Sequence, residues 1–146
     1  MTTATHPSYR SLSKPLHATL HATLLGATVP LFLSATLSDI AYYRSYQVQW
    51  SNLSSWLIAA GLVFCGLAIL FALADLARAN HDKGRTLLYL LLLLATGAVG
   101  FINALEHAKD AWATMPLGLL LSAIVTLLAG AATWIGFSGS RAGGAA

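Results

Sequence analysis

The chain has 146 residues, of which 57% are hydrophobic and only 9% are charged. Soluble domains carry about 25% charged residues, so this composition excludes an ordinary soluble domain and indicates a single membrane domain. The formal net charge is +3, but the eight Lys and Arg residues are scattered singly rather than in a basic stripe, so we expect no nucleic-acid partner.

The first apolar stretch runs from about residue 16 to 42, longer than the apolar core of about 7 to 15 residues in a secretory signal, so we predict a retained helix. Three further stretches also approach the roughly 20 apolar residues that a membrane-spanning helix needs. The predicted spans are 18–41, 53–76, 86–105 and 114–136. Their short connections predict an all-α membrane protein, an antiparallel bundle of four transmembrane helices over 16–137. An N-terminal segment at 1–15 precedes it and a disordered tail at 138–146 follows it.

The first span carries polar residues at both ends of one face. His21 and Asp39 are 18 residues apart, which is five helical turns, so both project from one side about 27 Å apart along the axis. His17 lies one turn before His21 on that side. Pro30 removes a backbone donor that would bond to the carbonyl of Gly26, so a kink and a free acceptor are expected there.

The later spans carry rows of small residues, which let helix backbones approach closely in a membrane. The second span has a seam that ends in a carboxylate, formed by Gly61, Cys65, Ala68, Ala72 and Asp75. The third and fourth spans have similar faces, formed by Gly97, Gly100, Asn103 and Ala104, and by Gly118, Ser122, Thr126 and Gly130. These faces suit contacts within the bundle and equally suit a homo-oligomer.

Asp75 in the second span has two candidate partners. Arg78 lies one turn later and would form an interfacial ion pair. His21 lies at a similar depth in the antiparallel neighbour and would form a hydrogen bond across the bundle.

Basic residues are unevenly divided between the two sides of the predicted bundle. One side holds only Arg44 and Lys109, whereas the termini and the second connection hold Arg10, Lys14, Arg78, Lys83, Arg85 and Arg141. Because Lys and Arg near span ends are retained in the cytoplasm, we predict that both termini are cytoplasmic.

The opposite side collects aromatic residues, namely Tyr42, Tyr43, Tyr46, Trp50, Trp56 and Trp112. Such rings suit the wet boundary of a bilayer, and an interfacial belt is the simple interpretation. The excess on one side also suits a docking surface for an extracytoplasmic partner.

Four polar residues belong to the same side, namely Asp39, Glu106, His107 and Asp110. With Trp50, Trp56 and Trp112 they form a candidate cluster for binding a partner, or for handling protons; the alternative is that they are interfacial residues.

Histidines on the inner side are candidate ligands. Imidazoles four residues apart in a helix can converge on one ligand, so His17 and His21 could hold haem b or contact a quinone. His81, in the second connection, is predicted on the same side, whereas His107 is on the other and cannot reach them. The alternative is that these histidines are interfacial residues bonded to their neighbours.

No metal site and no nucleophile, phosphate-binding or metalloprotease motif is present in the sequence, so no catalytic residue is predicted.

The sequence WSNLSSWLIAAG at 50–61, the triplet Ala74-Asp75-Leu76 and the segments PLH at 15–17 and SDIAY at 38–42 resemble a bacterial four-helix membrane domain of unknown function. That domain also occurs fused to Rieske iron–sulfur domains or to sorbosone-dehydrogenase-like domains. The chain keeps the family's separation of His21 from Asp39, but Gly26 and Thr28 replace the prolines or histidine expected between them, and Tyr89 stands where many members have histidine. The resemblance implies a bacterial inner membrane protein near extracytoplasmic electron-transfer modules.

The leading hypothesis is a non-catalytic membrane subunit that anchors or supports an extracytoplasmic redox protein. The alternatives are a haem b or quinone-binding redox protein that uses His17, His21, Asp75 and His81, and a small transporter or channel.

Overall fold

The computed structural model describes residues 10–78 and 83–142, and every regular element in these two ranges is a helix. Four helices are long: α1 (Arg10–Ser45), α2 (Val48–Arg78), α3 (Lys83–His107) and α5 (Leu117–Ala142). A single turn, α4 (Ala111–Thr114), lies between α3 and α5.

The four long helices form a ring in which α1 packs on α2, α2 on α3, α3 on α5 and α5 on α1. The predicted four-helix membrane bundle is therefore confirmed. Each helix contains a stretch long and apolar enough to cross a bilayer, namely Thr19–Ser45, Val48–Ala77, Lys83–His107 and Leu117–Ser138. In this ring α1 and α3 stand diagonally opposite each other.

The helices extend beyond the predicted spans at most of their ends. The first helix begins at Arg10 and the last continues to Ala142, past the predicted end of the domain at residue 137. The fourth predicted span is divided, because Thr114 belongs to α4 and α5 begins at Leu117. Backbone hydrogen bonding continues into polar residues wherever the chain allows it, so a helix does not end where its apolar stretch ends.

The interior is built from small residues and a few large ones. Cys65, Ala68 and Ala72 of the predicted seam are fully buried, and they pack in one cluster with Leu25 and Leu93. A second cluster holds Phe32, Ala35, Ile58, Val125 and Ala129. Leucines such as Leu91, Leu94 and Leu127 face outward, as expected for side chains in contact with lipid.

Polar side chains concentrate at the two ends of the bundle. At one end α1 and α3 finish while α2 and α5 begin, and we call this the Asp39 end. At the other end α1 and α3 begin while α2 and α5 finish, and we call this the His21 end. At each end a side chain of α1 meets one of α3 across the bundle axis.

Candidate functional site

At the Asp39 end, a hydrogen-bonded network of side chains from all four long helices is sealed inside the protein. Asp39 of α1 and His107 at the end of α3 form its centre, with Oδ1 of the carboxylate 2.9 Å from Nε2 of the ring. The two side chains are 0% and 1% exposed. Helix periodicity brings Asp39 to the interior face of α1, one helical turn after the buried Ala35.

The other polar atoms of this pair also have partners. Ser122 of α5 donates its hydroxyl to Oδ2 of Asp39 over 2.5 Å, and Asn103 donates its amide to the same hydroxyl over 2.8 Å. Ser54 of α2 donates to the carbonyl of Ala35 over 3.2 Å and lies 3.4 Å from Nε2 of His107. The side chain of Asp39 is thereby fixed from two helices.

The hydrogen bonds of His107 define where its protons lie. Nδ1 is 3.0 Å from the backbone carbonyl of Asn103, which can only accept, so Nδ1 carries a proton. Nε2 faces a carboxylate, so one further proton must lie between Nε2 and Oδ1 of Asp39. The pair is neutral overall whether that proton is on the ring or on the carboxyl group, which is how such a pair is accommodated inside a membrane protein.

The remaining residues of the predicted outer cluster differ in exposure and in their partners. Glu106 is buried and pairs with Lys109 over 2.6 Å, while Asp110 is exposed and precedes α4. Trp112 is 71% exposed and stacks on Tyr46, with ring centroids 5.5 Å apart and an interplanar angle of 13°. Trp56 is 72% exposed and Trp50 is half-exposed, both on α2.

Tyr42 differs from the other aromatic residues of this end. Its side chain is buried, although the sequence grouped it with the interfacial belt. Tyr42 and Tyr43 are adjacent in a helix, so they face different directions, and only Tyr43 remains exposed.

At the His21 end, the histidine lies between a carboxylate and a phenol. Nε2 of His21 is 2.7 Å from the hydroxyl of Tyr89 in α3, and Nδ1 is 3.6 Å from Oδ2 of Asp75 in α2. The ring also stacks on Phe71, with centroids 5.9 Å apart. Of the two partners weighed for Asp75, the structure places His21 beside it, while the side chain of Arg78 lies outside the described residues.

The side chains of His21, Asp75 and Tyr89 line a cleft of about 280 Å³ between the four long helices. Arg85 also lines it, and its guanidinium donates to the backbone carbonyl of Ile135 over 3.1 Å. The cleft wall therefore carries an acidic side chain, Asp75, and a basic one, Arg85. The side chains of His21 and Asp75 are 17% and 38% exposed.

Of the histidines predicted to hold haem, only His21 has its side chain among the described residues. Both ring nitrogens of His21 already face partners, so binding haem iron would break one of these contacts. His81 and the side chain of His17 lie outside the described part of the chain. Among the residues that are described, no group of three or more His, Cys, Asp or Glu side chains could hold a metal ion.

Sequence reasoning did not assign several residues of the two clusters to a site. Ser122 and Asn103 were recognised only as members of small or polar packing faces, and Tyr89 only as a departure from the resembled family. For Asn103 the sequence alone could have indicated a buried hydrogen bond, because an amide in an apolar span requires a partner. The partners themselves depend on how α3 and α5 are rotated about their axes, which one sequence does not specify.

Comparison with known proteins places the chain in a family without adding an assigned activity. No curated protein and no solved structure matches it. One family matches over residues 17–142, which include all four long apolar stretches. This chain therefore belongs to the family described as "Predicted membrane protein (DUF2231)".

Proposed function

We propose that this multi-pass membrane protein is a non-catalytic subunit that anchors an extracytoplasmic redox protein in a bacterial inner membrane. The observation that carries the proposal is the pair of stacked rings at the Asp39 end. Tyr46 belongs to the connection between α1 and α2, Trp112 belongs to α4, and both rings remain largely exposed. Exposed Trp and Tyr are the residues that most often dominate the energy of protein interfaces.

The geometry below the rings supports a rigid contact surface. Only Tyr46 and Gln47 connect α1 to α2, and the single turn of α4 contacts α3. The Asp39–His107 pair joins α1 to α3 directly beneath these connections. A surface held in one conformation loses little entropy when a partner binds, so more of the contact energy remains as affinity.

Substitution of Trp112 should release the partner. We expect that a tagged chain purified from native membranes in mild detergent carries dye-reducing dehydrogenase activity, and that Trp112→Ala lowers the activity recovered per chain by about tenfold or more. The measurement is reduction of an artificial electron acceptor by the eluate, with identification of the copurified protein.

The control is Leu88→Ala at the opposite end of the bundle. Leu88 is 50% exposed and Trp112 is 71% exposed, so each variant removes a large exposed side chain. Equal loss in both variants, an eluate that contains this chain alone, or unchanged membrane dehydrogenase activity after deletion of the gene would each contradict the proposal.

The proposal also requires the Asp39 end to face out of the cytoplasm, as the distribution of Lys and Arg indicates. Cys65 is the single cysteine and is fully buried, so the natural chain provides an unreactive background. We expect Asp110→Cys to react with a membrane-impermeant maleimide in spheroplasts, and Gly84→Cys to react only after the membrane is opened. Both positions are exposed, so the reverse pattern would show the opposite orientation.

A further inference from the structure

We propose that the cleft at the His21 end binds the head of an isoprenoid quinone or quinol, with its tail in a groove between α1 and α5. The site lies at the opposite end of the bundle from Tyr46 and Trp112, and it does not require those rings to bind a partner. The proposal concerns binding alone and assigns no electron transfer to the chain.

The charges on the cleft wall favour a head without net charge. Asp75 and Arg85 both line the cleft, so a cation or an anion would meet a like charge as well as an opposite one. The guanidinium of Arg85 is held against the wall by its bond to the carbonyl of Ile135. A neutral ring that bears oxygen atoms avoids the repulsion and can still form hydrogen bonds.

The polar side chains inside the cleft suit a head with a hydroxyl group that can donate a hydrogen bond. When Nδ1 of His21 carries its proton towards Asp75, Nε2 accepts from Tyr89, and the phenol oxygen keeps lone pairs for a donor such as a quinol hydroxyl. Tyr89, His21 and Asp75 lie side by side on the cleft wall, and the side chain of Asp75 is 38% exposed. The phosphate of a phospholipid can only accept hydrogen bonds, whereas a quinol hydroxyl can donate to the phenol oxygen of Tyr89, which favours a quinol as the occupant.

The groove beside the cleft suits an apolar tail. Its volume is about 510 Å³, and its walls include Pro30 and Trp134. Gly26 and Gly130 keep it open, since nothing lies within 4 Å of the position that a Cβ would occupy on either residue. Burial of hydrocarbon on such a surface is favourable.

Gly136 lies at the junction between the two spaces. It lines the cleft, and a Cβ on it would be 3.0 Å from Cδ1 of Leu25, which lines the groove. The same Cβ would be 3.2 Å from Cε2 of Tyr89. The absence of a side chain at this position therefore lets Leu25 and Tyr89 pack closely against α5 where the head site and the tail site meet.

The test is calorimetric titration of the full chain in dodecyl maltoside with decylubiquinol, kept reduced by exclusion of oxygen. We expect one molecule to bind per chain, with about tenfold weaker binding by Tyr89→Phe, which lacks the hydroxyl but keeps the ring. Gly136→Val should weaken binding at least as much, because the new side chain would displace Leu25 and Tyr89, which line the tail site and the head site. Tyr43→Phe removes an exposed hydroxyl at the Asp39 end and should leave the affinity unchanged.

Folding is checked by circular dichroism and elution volume, and Tyr89→Phe decides the test if Gly136→Val fails to fold. Equal affinity of the natural chain and Tyr89→Phe, or no binding heat, overturns the proposal. A second measurement is solvent extraction of the chain purified from native membranes. Recovery of one phosphatidylethanolamine per chain in place of a quinone also overturns the proposal. Trp112→Ala should bind decylubiquinol normally, which separates this site from the partner surface.

Discussion

Asp39→Ala should lower the free energy of unfolding by about 3 kcal/mol, because it leaves two buried groups without their partner. Nε2 of His107 and the hydroxyl of Ser122 both bond to the carboxylate, and the Asp39 side chain is fully buried, so its removal leaves these two groups facing a cavity. The measurement is reversible unfolding in mixed micelles of dodecyl maltoside and SDS, followed by circular dichroism.

Asp39→Asn should cost only about 1 kcal/mol, and the difference from Asp39→Ala tests whether the pair needs a charged carboxylate. The asparagine amide can donate to Nε2 of a neutral His107, while its carbonyl accepts from Ser122, so both hydrogen bonds persist. A loss as large as that of Asp39→Ala would show that the pair requires a charged carboxylate.

A double-mutant cycle separates this interaction from general damage to the bundle. The combined loss in Asp39→Ala and His107→Ala should be smaller than the sum of the single losses, because the second substitution removes the group that the first left unpaired. Asp110→Asn changes an exposed carboxylate at the same end and should alter stability by about 0.5 kcal/mol or less.

Gly118→Ala should lower the free energy of unfolding by about 2 kcal/mol through overpacking. A Cβ at Gly118 would lie 2.6 Å from Cγ2 of Thr114 and 2.9 Å from Cε1 of His107. Neither neighbour can easily move, since the Thr114 hydroxyl bonds to the carbonyl of Glu106 and the His107 ring is fixed by Asp39. The added methyl group therefore strains the polar network as well as the helix packing.

Gly130→Ala is the matched control in the same helix. Nothing lies within 4 Å of a Cβ placed there, so the substitution should be neutral or stabilising by up to about 1 kcal/mol through the higher helix propensity of alanine. The same unfolding assay applies to both variants. Equal losses at the two positions would contradict the packing at Gly118 and indicate that α5 simply tolerates alanine poorly.

Several features were predictable because they depend on local sequence. Apolar length determined the four membrane helices, and helix periodicity placed His21 and Asp39 on one side of α1. Both side chains indeed reach α3 across the bundle, at Tyr89 and His107. The seam containing Cys65 was predictable for the same reason, because residues three and four apart share a face.

Only the tertiary structure decided which helix faces meet and at which level along the bundle axis they do so. Gly118 and Gly130 belong to one regular row in the sequence, yet the first contacts His107 and the second borders an open groove. Tyr42 and Trp112 are both aromatic residues near span ends, yet the first is buried and the second is exposed. Periodicity is a property of one helix, whereas the partner of a side chain depends on the rotation and axial position of another helix, which are determined by packing of the whole bundle.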